Sequence, residues 1–315
     1  MKSASLSVAA AQAGPHRQAS ASVPGIAAAT ARWGRFVALT KPRLTVFALI
    51  TVAAGFVLGS GGLNRPLTLI LTVVGAGLVA GGASAWNQLL ERDRDRLMKR
   101  TMKRPLPQGA ISPFECAVFG STLTLAGTGL LAWSSNSLAA LTALSTFLLY
   151  VFVYTPLKPL TTLNTAVGAI PGALPPVIGI AAATGRLGVE AFALFLILFL
   201  WQFPHFLAIA WLYRADYARA GYKMLPSIDP SGILTGRQAA LHALILIPVG
   251  LLPSALRLAG AWHFAGALLL GLFYLSAAVQ FWLTTNESTA RRLLWTSFIH
   301  LPAILFLLLL DATPA

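Results

Sequence analysis

Nine apolar segments, each about 20 residues long, dominate the sequence. A helix of that length spans the hydrocarbon core of a bilayer, where only helices and closed barrels satisfy their backbone hydrogen bonds. The segments lie at residues 44–62, 67–90, 114–134, 138–156, 163–183, 190–212, 239–257, 262–285 and 293–311. The sequence therefore predicts an all-α fold, a polytopic membrane helical bundle with nine transmembrane helices.

The charged residues exclude other classes of protein. Only 10% of the 315 residues are charged, whereas a soluble enzyme carries about 25%. A net charge of +14 raises the question of nucleic acid, but no basic recognition module is present and the basic residues lie between the apolar segments. The single cysteine, Cys116, excludes an intramolecular disulfide and a thiolate metal cluster.

The distribution of basic residues predicts the orientation. With the N-terminus inside, 20 of the 23 Lys and Arg residues lie on the inner side, and only Arg65, Arg186 and Arg257 lie outside. The two long loops, residues 91–113 and 213–238, are then also inside. This favours the bacterial cytoplasmic (inner) membrane, with the mitochondrial inner membrane as the alternative.

Two domains are predicted. Residues 1–34 are rich in Ala, Ser, Gly and Pro and contain no acid, which indicates a disordered cytoplasmic tail, with an organelle transit peptide as the alternative. Residues 35–312 form the membrane domain. Each long inner loop follows the second helix of a four-helix set, which favours a pseudo-repeat of four plus four helices with one extra. Pro171, Pro175 and Pro176 predict a break in the fifth span.

A cluster of polar residues follows the second span. Asn87, Glu91 and Asp95 recur at intervals of four, so they share one face if the helix continues that far. Three oxygen-bearing groups in such a row suit Mg2+, which also carries substrate phosphates. The alternative is a basic anchoring loop whose acids pair with neighbouring arginines.

A second acidic site favours the metal-binding alternative. Asp216 follows the sixth span on the same side of the membrane, again beside Arg and Lys. Two such sites are typical of a clamp for a metal–diphosphate group, next to a membrane cavity for a hydrocarbon tail. A transporter is the rival class, but it predicts acids near the middle of the bilayer rather than at helix ends.

Several motifs together resemble those of the UbiA-type intramembrane prenyltransferases, and within them the branch that modifies haem. The resemblance runs from about residue 35 to residue 310. The motifs are Thr40-Lys41-Pro42-Arg43, Asn87 to Asp95 with the following Arg-Thr-x-x-Arg-Pro-Leu-Pro, Tyr154-Thr155-Pro156-Leu157-Lys158 with Asn164, Gly168 to Pro176, Trp201-Gln202-Phe203-Pro204-His205, and Asp216-Tyr217-x-x-Ala220-Gly221.

The resemblance implies roles for individual residues. The implied metal ligands are Asn87, Glu91, Asp93, Asp95 and Asp216. The implied catalytic residues are Asn87, Glu91, Asp95, Lys158 and Asp216. The implied diphosphate-binding residues are Arg100, Arg104, Tyr154, Lys158, Tyr217 and Lys223. His205 is the implied haem-binding residue. Two positions depart from the wider family, in which Glu91 is more often Asp and Ala220 is Asp.

The resemblance also implies an activity. The expected reaction transfers the farnesyl group of farnesyl diphosphate to a vinyl group of haem b, with addition of water, and gives haem O and diphosphate. Mg2+ is the expected cofactor and haem b is a substrate. The expected partners are these substrates and the lipid bilayer, and association with haem A synthase or with terminal oxidase assembly is left open. An aromatic quinone or chlorin precursor is the alternative acceptor.

Overall fold

The computed structural model describes the backbone of residues 24–313 and the side chains of residues 32–313. The chain divides into two units, Met1–Gly34 and Arg35–Ala315. The first helix, α1, is Pro24–Leu39. The predicted disordered tail thus lies outside the described residues up to residue 23, and its residues 24–34 are helical.

The second unit contains the nine predicted spans. Within residues 24–313, nine helical spans are long and apolar enough to cross a bilayer, and no β-strand is present. They are α2 (Pro42–Ser60), α3 (Pro66–Asp95), α4 (Pro113–Ser134), α5 with a π-helical segment and α6 (Ser137–Leu148, Leu149–Tyr154, Thr155–Leu157), α7 with α8 (Asn164–Ala173, Pro175–Thr184), α9 (Val189–Leu212), α12 with α13 (Ile233–Gly250, Leu252–Ala255), α14 (Ala261–Thr284) and α15 (Glu287–Leu310). Two short helices, α10 (Arg214–Arg219) and α11 (Leu225–Ile228), connect α9 to α12.

Three spans extend five or six residues beyond their apolar segments at one end. Helix α3 continues to Asp95, and the seventh and ninth spans begin at Ile233 and Glu287, six residues before the predicted starts. Polar side chains that accept hydrogen bonds from backbone N–H groups of the first turn explain the two early starts. The side chain of Asn286 accepts a hydrogen bond from Thr289 N at 3.0 Å, and that of Asp229 accepts one from Thr235 N at 2.8 Å. Hydropathy locates the apolar part of a helix, whereas caps determine where the helix begins.

The fifth span links two apolar cores. One core lies among α2, α3, α5 and α8, and the other among α8, α9, α12, α14 and α15. Ile178 belongs to the first core and Ile180 to the second. The predicted break in this span is confirmed, because α7 ends at Ala173 and α8 begins at Pro175.

Candidate active site

The charged end of the bundle is the end at which Lys41, Asp95, Lys158 and Asp216 lie. Asn87, Glu91 and Asp95 face inward there, with exposed fractions of 1%, 6% and 0%. They share a face because α3 stays helical through Asp95. Burying two carboxylates is costly unless each has a partner of opposite charge.

Each of these three side chains meets a base from another segment of the chain. Lys41 Nζ donates to Asn87 Oδ1 at 2.9 Å. Lys158 Nζ lies 2.6 Å from Glu91 Oε1, and Arg104 NH1 lies 2.7 Å from Asp95 Oδ2. The partners are contributed by the turn before α2, by the loop after α6 and by the loop after α3. Asn87, Glu91 and Asp95 (the acidic row) therefore face Lys41, Lys158 and Arg104 (the cationic row).

The π-helical segment positions part of the cationic row. In a π-helix the hydrogen bond reaches one residue further than in an α-helix, which changes the direction of the side chains that follow. Thr155 accepts from Asn87 Nδ2 at 3.1 Å and donates to Tyr150 O at 2.8 Å. Lys158 Nζ lies 4.6 Å from the centre of the Tyr154 ring. Space for that ring exists because residue 168 is glycine, where a Cβ would lie 2.5 Å from Tyr154 Cε2.

The two lysines respond differently to this environment. Burial alone would lower the pKa of Lys158, but the Glu91 carboxylate and the neighbouring tyrosines hold that pKa well above its ordinary value. Lys158 is therefore a permanent cation. Burial lowers the pKa of Lys41 to about 7, and the Arg104 guanidinium contributes in the same direction. Lys41 therefore changes its charge near neutral pH.

The loop after α3 contacts the segment after α9. Thr101 Oγ1 donates to Asp95 O at 3.0 Å. The Arg100 guanidinium lies 4.9 Å from the centre of the Tyr213 ring, and its NH2 lies 3.5 Å from Tyr217 Oη. Met98 packs in an apolar cluster with residues 210, 220, 222 and 224. The polar cluster that follows the second span and the acidic site that follows the sixth span are thus in contact.

The segment after α9 reaches the site through Tyr222 and the backbone of Lys223. Lys223 N donates to Lys158 O at 2.9 Å, although the Lys223 side chain is exposed. The Tyr222 ring lies 6.0 Å from Lys158 Nζ, and Tyr222 Oη is buried without a hydrogen-bond partner. Burial, with the Glu91 carboxylate, raises the pKa of Tyr222, so its phenol remains a donor. Asp216 is half-buried and pairs with Arg219 at 3.0 Å.

Asp93 lies apart from the other acids. Its side chain is 70% exposed and pairs with Arg92 and Arg96 at 3.7 and 3.5 Å. Within the described residues no three His, Cys, Asp or Glu side chains are close enough together to hold a metal ion. Any cation held here would therefore depend on oxygen atoms of substrate phosphate as well as on protein ligands.

One atom of the acidic row fits such a cation. Asp95 Oδ2 is occupied by Arg104, but Asp95 Oδ1 is buried and has no hydrogen-bond partner. An unpaired carboxylate oxygen is costly to bury, and carboxylate oxygen is the ligand that Mg2+ prefers. Asn87, Glu91 and Asp95 therefore have the donor chemistry and the location for a metal bound together with a diphosphate.

His205 belongs to a separate polar cluster, in the second core. It is 7% exposed, and its Nδ1 lies 2.7 Å from Ser297 Oγ. The Trp201 ring stacks on the imidazole, with ring centres 4.8 Å apart. Tyr274 Oη donates to Trp201 O at 3.1 Å. Among the residues predicted for the site, His205 is the one inside the second core.

Sequence reasoning missed three residues that contact the row or lie beside it: Lys41, Thr155 and Tyr222. Lys41 adopts a left-handed backbone conformation, with φ of 49°, which is uncommon for a residue with a side chain. Its place in the Thr-Lys-Pro-Arg motif was the available signal. Thr155 and Tyr222 also lie in or beside quoted motifs, but only the fold shows their contacts.

The sequence matches known proteins over most of its length. The model of the UbiA prenyltransferase family matches residues 48–302. The chain therefore belongs to the UbiA prenyltransferase family. Protoheme IX farnesyltransferase of Solibacter usitatus (strain Ellin6076) is 45% identical over 285 residues, which cover 88% of this chain and 98% of that protein.

Solved structures show the same fold. A structure described as digeranylgeranylglyceryl phosphate synthase in membranes superposes with a TM-score of 0.73 at 18% identity, covering 89% of this chain and 98% of that one. A UbiA homologue from Archaeoglobus fulgidus, bound to DMAPP and Mg2+, gives a TM-score of 0.63 at 16% identity, covering 87% and 99%. The predicted helical membrane fold is confirmed.

Proposed function

We propose that the chain transfers the farnesyl group of farnesyl diphosphate to a vinyl group of haem b, with addition of water, giving haem O and diphosphate. The observation that carries this proposal is the buried row of Asn87, Glu91 and Asp95, each paired with a base from another segment. The acceptor and the prenyl donor are proposed from the relatives named protoheme IX farnesyltransferase.

The acidic row would hold Mg2+ together with the diphosphate. Asn87, Glu91 and Asp95 are the proposed ligands from α3, and Asp216 is the proposed ligand from the segment after α9. When bound, the metal neutralises phosphate charge and polarises the bond to the leaving diphosphate. The unpaired Oδ1 of Asp95 supports this role. Asp93 is not included in the proposed set, because its side chain is exposed and paired elsewhere.

The cationic row would receive the leaving diphosphate. Lys158 and Arg104 are held beside the acids at 2.6 and 2.7 Å and need only exchange a carboxylate for a phosphate oxygen. Arg100 would contact the diphosphate from the loop after α3, and Tyr222 would donate its unpaired hydroxyl. Lys41 adds a third cation when it is protonated. Preorganised donors of this kind stabilise the charge that develops as the bond breaks.

Three further predictions concern groups at the edge of this site. Tyr154 would hold Lys158 in place through its ring, which lies 4.6 Å from Nζ. Tyr217 would position Arg100, since their side chains lie 3.5 Å apart. Lys223, whose side chain is exposed, would meet the diphosphate from the solvent side.

The proposed reaction has three steps. The carbon–oxygen bond of farnesyl diphosphate breaks, and its electron pair leaves with diphosphate. The vinyl group then donates its π electrons to the allylic carbon, which forms the new carbon–carbon bond and leaves a cation next to the porphyrin. Water adds to that cation and loses a proton, giving the hydroxyethylfarnesyl group. The apolar spans protect the first cation from water.

The site also bears on location and partners. The nine apolar spans within residues 24–313 make the chain an integral membrane protein. We propose the bacterial cytoplasmic membrane, with the N-terminus and the charged end of the bundle in the cytoplasm, because basic residues concentrate there. The product of the proposed reaction is a modified haem, so a haem A synthase or the assembly of a terminal oxidase is the proposed context.

The direct test uses the purified protein with haem b, farnesyl diphosphate and Mg2+. The expected product is haem O, identified by its mass after chromatography, and its formation should cease when EDTA removes the metal. Prenylation of a quinone or chlorin precursor in place of haem b would show that the acceptor is wrong while the prenyltransferase class is right.

A further inference from the structure

The protons around His205 can be assigned from hydrogen-bond geometry. Ser297 Oγ lies 2.5 Å from Leu294 O and 2.7 Å from His205 Nδ1. Two oxygen atoms at 2.5 Å must share a proton, and a carbonyl brings none, so the Ser297 hydroxyl donates to Leu294 O. Only lone pairs of Ser297 Oγ then remain for the imidazole. His205 therefore carries its proton on Nδ1, and its Nε2 presents a lone pair.

The Nε2 atom of His205 is not fully buried. It has no hydrogen-bond partner, yet it is not among the fully buried atoms without partners in the described part of the chain. His263 provides the contrast. Its Nδ1 also contacts a serine, Ser254, at 2.9 Å, but its Nε2 is fully buried. The two histidines are held by the same kind of contact, and of the two only His205 keeps an Nε2 that is not fully buried.

Ser297 orients the imidazole in a second way. Its backbone carbonyl accepts a hydrogen bond from Trp201 Nε1 at 3.1 Å, and the Trp201 ring stacks on His205 at an interplanar angle of 22°. The rings of Phe206 and Phe298 stand edge-on to the imidazole at 5.3 and 5.2 Å. Both phenyl rings are more than a third exposed. The imidazole thus lies beside two exposed aromatic rings.

The resemblance described above implies that His205 binds haem. We propose that Ser297 is the positioning residue that keeps His205 Nε2 unprotonated, so that this nitrogen can be an axial ligand to the iron of the haem substrate. Histidines that bind metals generally donate their other N–H to a fixed acceptor, which sets the tautomer and the direction of the ring. Aromatic faces around the imidazole suit a flat macrocycle. The inference rests on the proposed function, because it takes haem as the acceptor.

The test measures binding of ferric haem b to the purified full-length protein, without farnesyl diphosphate. Absorption and electron paramagnetic resonance spectra should show imidazole ligation in the wild type. His205→Ala should lose that signature and recover it when imidazole is added. Ser297→Ala keeps the backbone contact to Trp201 and removes the hydroxyl, and with it both the acceptor for Nδ1–H and the hydrogen bond to Leu294 O. It should weaken haem binding about 10- to 100-fold and alter the axial-ligand spectrum.

Two variants on the same helix serve as controls. Thr296→Ala removes a neighbouring buried hydroxyl that donates to Arg292 O at 2.9 Å and does not touch His205, so its haem binding should equal that of the wild type. Ser297→Thr retains a hydroxyl and should restore both affinity and spectrum. If Ser297→Ala does not fold, Ser297→Cys, with its weak acceptor, should show the same loss.

The outcomes separate this inference from the proposed function. Wild-type spectra and affinity in Ser297→Ala, or imidazole ligation persisting in His205→Ala, would overturn the inference even if haem O is made. A wild-type protein that binds haem through His205 but does not farnesylate it would overturn the proposed function and leave the ligand assignment standing.

Discussion

Replacing Asp95 by Asn tests the acidic row with little change in shape. The amide still offers an oxygen to Arg104 NH1, which lies 2.7 Å from Asp95 Oδ2. A hydrogen bond between charged groups contributes about 1.5–3 kcal/mol and a neutral one about 0.5–1.5 kcal/mol. The expected loss in the free energy of unfolding is therefore about 1–1.5 kcal/mol, since the Arg104 side chain is 23% exposed and water reaches it.

The expected loss of activity is much larger than the loss of stability. Removing one preorganised group that stabilises developing charge lowers kcat by about 100- to 1,000-fold. For Asp95→Asn we therefore expect haem O formation to fall by that factor, while the apparent Tm in detergent falls by no more than about 4 °C. Turnover is measured as haem O formed per minute, by chromatography at saturating substrates.

Asp93→Asn is the matched control. It makes the same chemical change two residues earlier in the helix, but at a side chain that is 70% exposed and paired only with surface arginines. Surface ion pairs contribute about 0–1 kcal/mol, so turnover should stay within about threefold of the wild type. Equal losses in the two variants, or unchanged turnover in Asp95→Asn, would refute the assignment of the buried face to metal and diphosphate binding.

Three further perturbations concern the cationic side of the site. Lys158→Met leaves Glu91 buried without its partner and should lower the unfolding free energy by about 3–5 kcal/mol; adding Glu91→Gln should restore part of the thermal stability but none of the turnover. The pKa of Lys41 is lowered to about 7, so the lysine loses its charge as pH rises; KM for farnesyl diphosphate should increase from about pH 6 to about pH 8 in the wild type and stay level in Lys41→Met. Tyr222→Phe removes an unpaired buried hydroxyl, so it should preserve stability while raising that KM; an unchanged KM would show that the hydroxyl does not meet the substrate.

The fold was predictable because its signals are local. An apolar run of about 20 residues indicates a span whichever helices it packs against, and the basic residues between the runs predict the orientation of the spans. The same holds for Asn87, Glu91 and Asp95, since helical periodicity alone puts them on one face. The end of α3 was harder, because its apolar pattern stops at Leu90 while the helix continues to Asp95.

The partners of these residues could not be predicted in the same way. Lys41 and Asn87 are 46 residues apart, and Lys158 and Glu91 are 67 apart, so only the packing of the spans shows which base meets which acid. The contact between His205 and Ser297 spans 92 residues and depends on how α15 packs on α9. Asp93 is different, because it lies two residues from both Glu91 and Asp95, and helical periodicity turns it away from their face. The motif alone, without that periodicity, groups it with the other acids.

The pairing of acids with bases at the charged end couples the two components of the proposed substrate. If a metal ion alone were bound, its charge would neutralise Glu91 and Asp95 and leave Lys158 and Arg104 without balancing negative charge. A diphosphate arriving alone would do the reverse and leave buried carboxylates without partners. When both arrive together, the ion pairs exchange partners and the charge of the site stays balanced. Metal affinity and diphosphate affinity should therefore each increase in the presence of the other, by the same factor.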